Sequence, residues 1–149
     1  MNRAKAKEQV EDYKGAVDDY SKVIDINPGF AQAYRERASL RNMFRGVAGV
    51  QNHAGSFADL NKAIELEPNH YETYLRRAYF KMGDPPDYRG AIADFSMVIK
   101  FKPKYAEAYT NRGISKIKLG QKSDGCLDLQ YAAELKDYWG MEFFKENCK

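Results

Sequence analysis

Along Ala91–Arg112, AIADFSMVIKFKPKYAEAYTNR, apolar residues recur at the spacing of one helix face. Ala91, Ile92, Phe95, Val98 and Ile99 form the first run, which ends near Pro103. A second run through Ala108, Tyr109 and Gly113 follows at once. This period, close to 3.6 residues, predicts two amphipathic helices broken by a turn, because proline disfavours helical geometry just before it and cannot donate the helical bond. The same layout surrounds Pro28 (AVDDYSKVIDINPGFAQAYRER) and Pro68 (FADLNKAIELEPNHYETYLRR). The prolines Pro28, Pro68 and Pro103 are 40 and 35 residues apart, and so are Tyr34, Tyr74 and Tyr109. A period in the mid-thirties with two helices per unit is the signature of a helical solenoid.

The pattern predicts four helix pairs at about 1–29, 30–69, 70–103 and 104–136. In the first pair, helices are expected over about Asn2–Val10 and Tyr13–Ile26. In the second, the first helix should end near Phe44 or Arg45 and the next begin near Ser56, a residue that also suits an N-cap. Between them lies an inserted 46–55 loop with three glycines. The third pair turns through Asp84-Pro85-Pro86-Asp87 and the fourth at Gly120-Gln121. The tail, Asp137–Lys149, reads as a helix that caps the last apolar face with Tyr138, Trp139, Met141, Phe143 and Phe144.

The repeated residues resemble the tetratricopeptide repeat (TPR) family, in its bacterial-type form. That family's first helix reads aromatic-x-x-L-G-x-x-Y. The matching runs here are Tyr34-x-x-Arg37-Ala38, Tyr74-x-x-Arg77-Ala78 and Tyr109-x-x-Arg112-Gly113. Its second helix reads A-x-x-x-F followed by Pro. The matches are Ala16/Tyr20/Pro28, Ser56/Leu60/Pro68 and Ala91/Phe95/Pro103, with Gly125/Leu129 as a fourth that lacks the proline. The resemblance implies an all-α, right-handed superhelical solenoid of antiparallel helix pairs, one domain over 1–149. It also implies a non-enzymatic scaffold that binds a peptide or protein surface on the concave face lined by first helices.

On that resemblance the outward groove positions are Gln32, Arg35, Glu36, Ser39, Asn42 and Met43, then Glu72, Leu75, Arg76, Tyr79 and Met82, then Glu107, Thr110, Asn111, Ile114, Ile117 and Lys118. Arg35, Arg76, Tyr79, Asn111 and Ile114 are the foremost contact candidates. Charges nearly balance along this set, with Arg35, Arg76 and Lys118 against Glu36, Glu72 and Glu107. That balance suits a peptide with apolar anchors better than a phosphate backbone, so no nucleic acid is expected. Glu72, or Glu107 where the set is read over the last three repeats, stands where the family's chaperone-tail clamp needs a cation, so that ligand is not expected. The alternative role is a structural spacer or self-assembly module without a groove ligand.

A second regular feature is charged. Arg3, Arg37, Arg77 and Arg112 precede the small residue of each first helix. Asp19, Asp59, Asp94 and Asp128 precede the large residue of each second helix. Because each of the first three aspartates lies 18 residues before the next arginine, the expected structural pairs are Asp19–Arg37, Asp59–Arg77 and Asp94–Arg112, bridging neighbouring repeats.

Composition changes little. With 149 residues, 44% hydrophobic and 30% charged, and a net charge of +3, the chain suits a folded domain with weak drive toward nucleic acid or anionic lipid. No apolar run is long enough for a membrane span and no signal peptide is visible. The first repeat starts part-way through its first helix, as it would if sequence upstream of Met1 had been removed. No glycine-rich phosphate loop, nucleophile elbow or His-Glu-x-x-His run occurs, and His53 and His70 read as surface residues. No cofactor or metal is expected, and a groove binder should be a monomer. If the tail folds back about Lys136–Tyr138, Cys126 and Cys148 lie equally far from the turn, and a disulfide is geometrically feasible. It would imply an oxidising, extracytoplasmic compartment, whereas two unpaired thiols would fit the cytoplasm. Both readings stay open on the residues alone.

Overall fold

The structure, a computed structural model, describes all residues except 10, 11, 44–52, 84 and 149, and all their side chains except those of Ala6, Gln9, Met43 and His53. The described residues are all-α, with nine helices and no strand: α1 (Asn2–Gln9), α2 (Tyr13–Ile26), α3 (Ala31–Met43), α4 (His53–Leu66), α5 (Tyr71–Lys81), α6 (Tyr88–Phe101), α7 (Ala106–Lys118), α8 (Lys122–Glu134) and α9 (Tyr138–Asn147). The chain divides into two compact units, Met1–Thr73 and Tyr74–Lys149.

In the first unit the core gathers Ala4, Ala16, Val17, Tyr20, Ile24, Tyr34, Leu40 and Ala63. In the second, Ala91, Phe95, Val98, Ala108, Leu129 and Ala132 are fully buried. The residues that repeat in the sequence are the ones that vanish from solvent. The large positions Tyr20, Leu60, Phe95 and Leu129, and the small positions Ala4, Ala38, Ala78, Ala16, Ser56 and Ala91, all have no exposed surface. Small residues let helix axes approach, and the large ones fill the space beside the crossing. Tyrosine also ties a first helix to the preceding turn. Tyr34 and Tyr109 donate their hydroxyls to the carbonyls of Pro28 (3.2 Å) and Pro103 (3.1 Å).

Helices α7 and α8 cross closely. A Cβ built on Gly125 would stand 2.7 Å from the Gly113 carbonyl oxygen and 2.6 Å from Ile117 Cγ1, and one on Gly113 would stand 2.8 Å from the Gly125 carbonyl. Backbone cannot yield as a side-chain end can. Gly125→Ala is therefore expected to lower stability by about 1–2 kcal/mol, overpacking outweighing the better helix propensity of alanine. A thermal melt reads this directly, and an unchanged or raised Tm would contradict the close crossing.

Two features of the helix starts differ from expectation. Helix α4 begins at His53, so residues 53–55 of the expected loop are helical, and Ser56 is not its N-cap. Ser56 lies fully buried inside α4, at the position that Gly125 holds in α8. The packing requirement for a small residue, rather than capping, explains it. The expected end of α3 near Phe44 or Arg45 and residues 46–52 of the expected loop lie outside the described residues, as does Asp84 of the third turn. The second difference is a capping motif. Asp12-Tyr13-Lys14-Gly15, Asp87-Tyr88-Arg89-Gly90 and Asp137-Tyr138-Trp139-Gly140 open α2, α6 and α9. In each, the aspartate accepts the glycine N–H three residues on, at 3.0, 2.9 and 2.7 Å. This satisfies one orphan donor of the first turn.

The turns after α7 and α8 share one geometry. Gly120 (φ 80°) and Lys136 (φ 66°) are left-handed. Gln121 N–H reaches Lys116 O and Asp137 N–H reaches Ala132 O, while Gly120 and Lys136 N–H reach Ile117 O and Ala133 O. These are paired Schellman bonds, which use up carbonyls that would otherwise end the helices unsatisfied.

Candidate functional site

The arginine–aspartate ladder closes within each helix pair. Arg3 binds Asp19, Arg37 binds Asp59, Arg77 binds Asp94 and Arg112 binds Asp128, each through both Nε and a terminal nitrogen. The expected pairs Asp19–Arg37, Asp59–Arg77 and Asp94–Arg112 are thus corrected: each arginine forks onto the aspartate of its own second helix. Neighbouring repeats are still linked, because the remaining guanidinium nitrogen of Arg37 donates to Ser21 and that of Arg112 to Ser96. The guanidiniums of Arg37, Arg77 and Arg112 also stand near the tyrosine three residues before each, with Arg112 5.4 Å from the Tyr109 ring centre.

A second cation sits on every aspartate: Lys7, Arg41, Lys81 and Lys116, four residues after the ladder arginines. That i, i+4 signal was present in the sequence. For Asp19, the Arg3 hydrogen bond, aided by Lys7 and opposed by burial, holds the carboxyl down at about 2. A carboxyl depressed on folding contributes stability above its unfolded value near 3.8, and that contribution is lost as pH falls toward about 2. The urea midpoint of the native chain should therefore fall between pH 4 and pH 2 by more than that of Asp19→Asn. Equal pH slopes would contradict this.

The predicted groove residues separate into two kinds. In the first unit, Arg35 is buried and its guanidinium donates to Glu67 Oε2 at 2.5 Å. It is not an outward position. Ser39 donates to the Arg35 carbonyl. Asn42 buries its Oδ1 with no hydrogen-bond partner among the described residues. Glu36 borders a recess with Lys5, Glu8 and Tyr20, and Glu72 lies 3.4 Å from His70 Nδ1.

In the second unit the predicted positions Tyr79, Glu107, Thr110, Asn111 and Ile114 meet around one concavity of about 320 Å³. Three residues of α9 and its cap complete it: Asp137, Trp139 and Phe143. A smaller recess beside it, about 70 Å³, adds Ile117, Lys118 and Asn147 and shares Ile114 and Phe143. Arg76 is half-buried on α5 and does not line either. Thr110 is also corrected: it is buried, and its hydroxyl donates to Asp137 Oδ2 at 2.7 Å.

The concavity is built from paired donors and acceptors. The Tyr79 hydroxyl donates to Glu107 Oε1 and the Tyr105 hydroxyl to Glu107 Oε2. Asn111 Nδ2 donates to the Tyr79 oxygen and to the Glu107 carbonyl. Burial, then the Glu107 bond, pushes the Tyr79 hydroxyl above its usual range, so it stays protonated and donating. Its ring packs edge-on against Phe95.

Helix α9 is fixed at both ends. Asp137 joins Thr110 of α7 to the α9 N-terminus. At Gly140 a Cβ would stand 2.6 Å from the Ala132 Cβ and 2.7 Å from Thr110 Oγ1, so the helix lies close on both neighbours. Cys126 of α8 and Cys148 at the end of α9 form a disulfide, their Cα atoms 5.6 Å apart. Sequence reasoning assigned α9 only a capping role and missed Trp139 and Phe143 as lining residues. The signal was their position: they stand 32 residues after Glu107 and Asn111, as if α9 were the first helix of a further repeat. Among the described residues, no group of three or more His, Cys, Asp or Glu is placed to hold a metal, and no helix is long and apolar enough to cross a membrane.

No protein-family model matches the chain, and no curated protein matches it. Solved structures do. A crystal structure of MamA protein matches 99% of this chain and 84% of its own, with a TM-score of 0.81 at 18% identity. PilW, described as a widely conserved type IV pilus biogenesis factor, matches 91% of this chain and 60% of its own, with a TM-score of 0.71 at 18% identity. YrrB, described as a TPR protein with an unusual peptide-binding site, matches 97% of this chain and 90% of its own, with a TM-score of 0.58 at 17% identity. Identities this low speak to architecture and leave ligands aside. With its repeated small and large core positions and its tyrosine-to-turn bonds, the chain has the fold of a tetratricopeptide-repeat protein.

Proposed function

We propose that the protein is a non-enzymatic interaction module that binds a peptide or protein segment at the concavity of the 74–149 unit. The observation that carries this reading is the lining itself. Tyr79, Ile114, Trp139 and Phe143 give apolar and aromatic surface, and Asn111, Glu107 and Asp137 stand among them as orienting polar groups. Trp139 keeps 65% of its surface exposed although its helix is fixed at both ends. An exposed aromatic on a rigid element can bury area on binding with little ordering cost. The structural likeness to YrrB, a protein described as having a peptide-binding site, agrees with this reading.

The test is affinity capture with the native chain and with Trp139→Ala, after circular dichroism confirms that the variant keeps its helices. A partner held by the native chain and lost by Trp139→Ala supports the site. A partner held equally by both places recognition elsewhere. The alternative, a spacer or self-assembly unit, is favoured by the exposure of Leu127, Tyr131, Tyr138 and Met141 on α8 and α9. Light scattering across concentrations separates the two, since the interaction module should remain monomeric.

A further inference from the structure

The charges that balance along the predicted groove do not balance in the concavity. Among the described residues that line it, Glu107 and Asp137 are acidic and none is lysine or arginine. Both carboxylates keep acceptor capacity. Glu107 accepts one phenol on each oxygen, and a carboxylate offers about four lone-pair sites. Asp137 spends Oδ2 on Thr110 and the Gly140 N–H, and its Oδ1 has no partner among the described residues. Tyr79, Trp139 and Phe143 line the same concavity. Aromatic faces attract cations through the ring quadrupole, by about 0.5–1 kcal/mol where exposed and more once water is displaced.

Resting on the interaction-module reading above, we infer that the concavity receives a cationic side chain, lysine or arginine, of a partner peptide. The aliphatic stem would lie along Ile114 and the rings, and the charged head would meet Glu107 and Asp137. Arginine and lysine both bury their stems while keeping the head at polar groups. An acidic segment would be repelled, and a purely apolar one would leave the Asp137 oxygen desolvated and unpaired.

The chain holds one tryptophan, so a single indole N–H resonance reports on the site. An array of random hexapeptides is probed with the oxidised chain. The strongest binders are then resynthesised with citrulline in place of arginine and glutamine in place of lysine, and titrated against the ¹⁵N-labelled chain. The expected result is enrichment of arginine or lysine among the binders and a saturable shift of the Trp139 indole resonance. The neutral analogues should bind about tenfold more weakly or worse, as should the cationic peptides to Glu107→Gln. Glu107 is exposed, and glutamine keeps one acceptor oxygen for a phenol while its amide N–H can donate to the other phenol oxygen, so this variant should fold. Binders without cation enrichment, or neutral analogues that bind equally, would overturn the inference and leave the interaction module standing. Binders that leave the indole resonance unmoved would overturn the site. An array without any binder would overturn both readings.

Discussion

Asp94→Ala is expected to lower stability by about 3 kcal/mol. The Asp94 side chain is 3% exposed and accepts both Nε and a terminal nitrogen of Arg77, at 2.9 and 2.7 Å, with Lys81 Nζ at 2.8 Å. Alanine would leave two cations facing one another with no anion between them. The penalty for stranding a buried partner is about 3–5 kcal/mol. The lower end applies because Arg77 and Lys81 each keep 18% of their side-chain surface exposed, which lets some water reach them. Asp94→Asn should fall between the two, since it keeps an acceptor oxygen for the arginine. Urea titration of the three chains gives the order. A cost under about 1 kcal/mol for Asp94→Ala would mean that the network behaves as an exposed salt bridge.

Removing the disulfide should come next in size. The bond closes a segment with a sequence separation of 22 between Cys126 and Cys148. The chain-entropy account gives about 3 kcal/mol for a loop of this length. The loss should be local in character. The other anchors of helix α9, the Asp137–Thr110–Gly140 bonds and the close packing at Gly140, lie at its opposite end, so its C-terminal turn should loosen first. Hydrogen exchange on the native chain and on the Cys126→Ser/Cys148→Ser variant reads this. Faster exchange confined to α9, with a lower Tm, is the expected result. Because Trp139, Phe143 and Asp137 enter the concavity from α9, the same variant should bind any cationic peptide more weakly. Unchanged exchange in α9 would show that packing at Gly140 holds the helix unaided.

The helices, their order and their core positions were legible in the chain because they depend on local period and on residue size. Tyr13–Ile26 was readable to the residue, with apolar positions at helical spacing and Pro28 ending the run. The buried small and large residues were readable because the repeat states them several times over. Pairing was not legible in the same way. The 18-residue interval from each aspartate to the next arginine is constant because the connection between them, helix to proline turn to helix, carries no insertion. The contacting pairs lie 16, 22, 17 and 16 residues apart, since insertions fall between them and leave the helix crossing intact. A constant interval marks a rigid connection, and contact is set by which helix faces which.

The residues around the concavity divide along the same line. Tyr79, Asn111 and Ile114 could be placed from the repeat, because equivalent positions of successive first helices share a face. Whether such a side chain is free could not. Arg35 stands in register with Leu75 and Thr110, and it is buried with its guanidinium donating to Glu67. The sequence alone determined an all-α repeat with a defined core and a set of face positions, because periodicity and volume act over a few residues. Only the tertiary structure decided that α9 brings Trp139, Phe143 and Asp137 beside Tyr79 and Glu107. That placement depends on a left-handed turn at Lys136, a disulfide and close packing at Gly140, which no local period encodes.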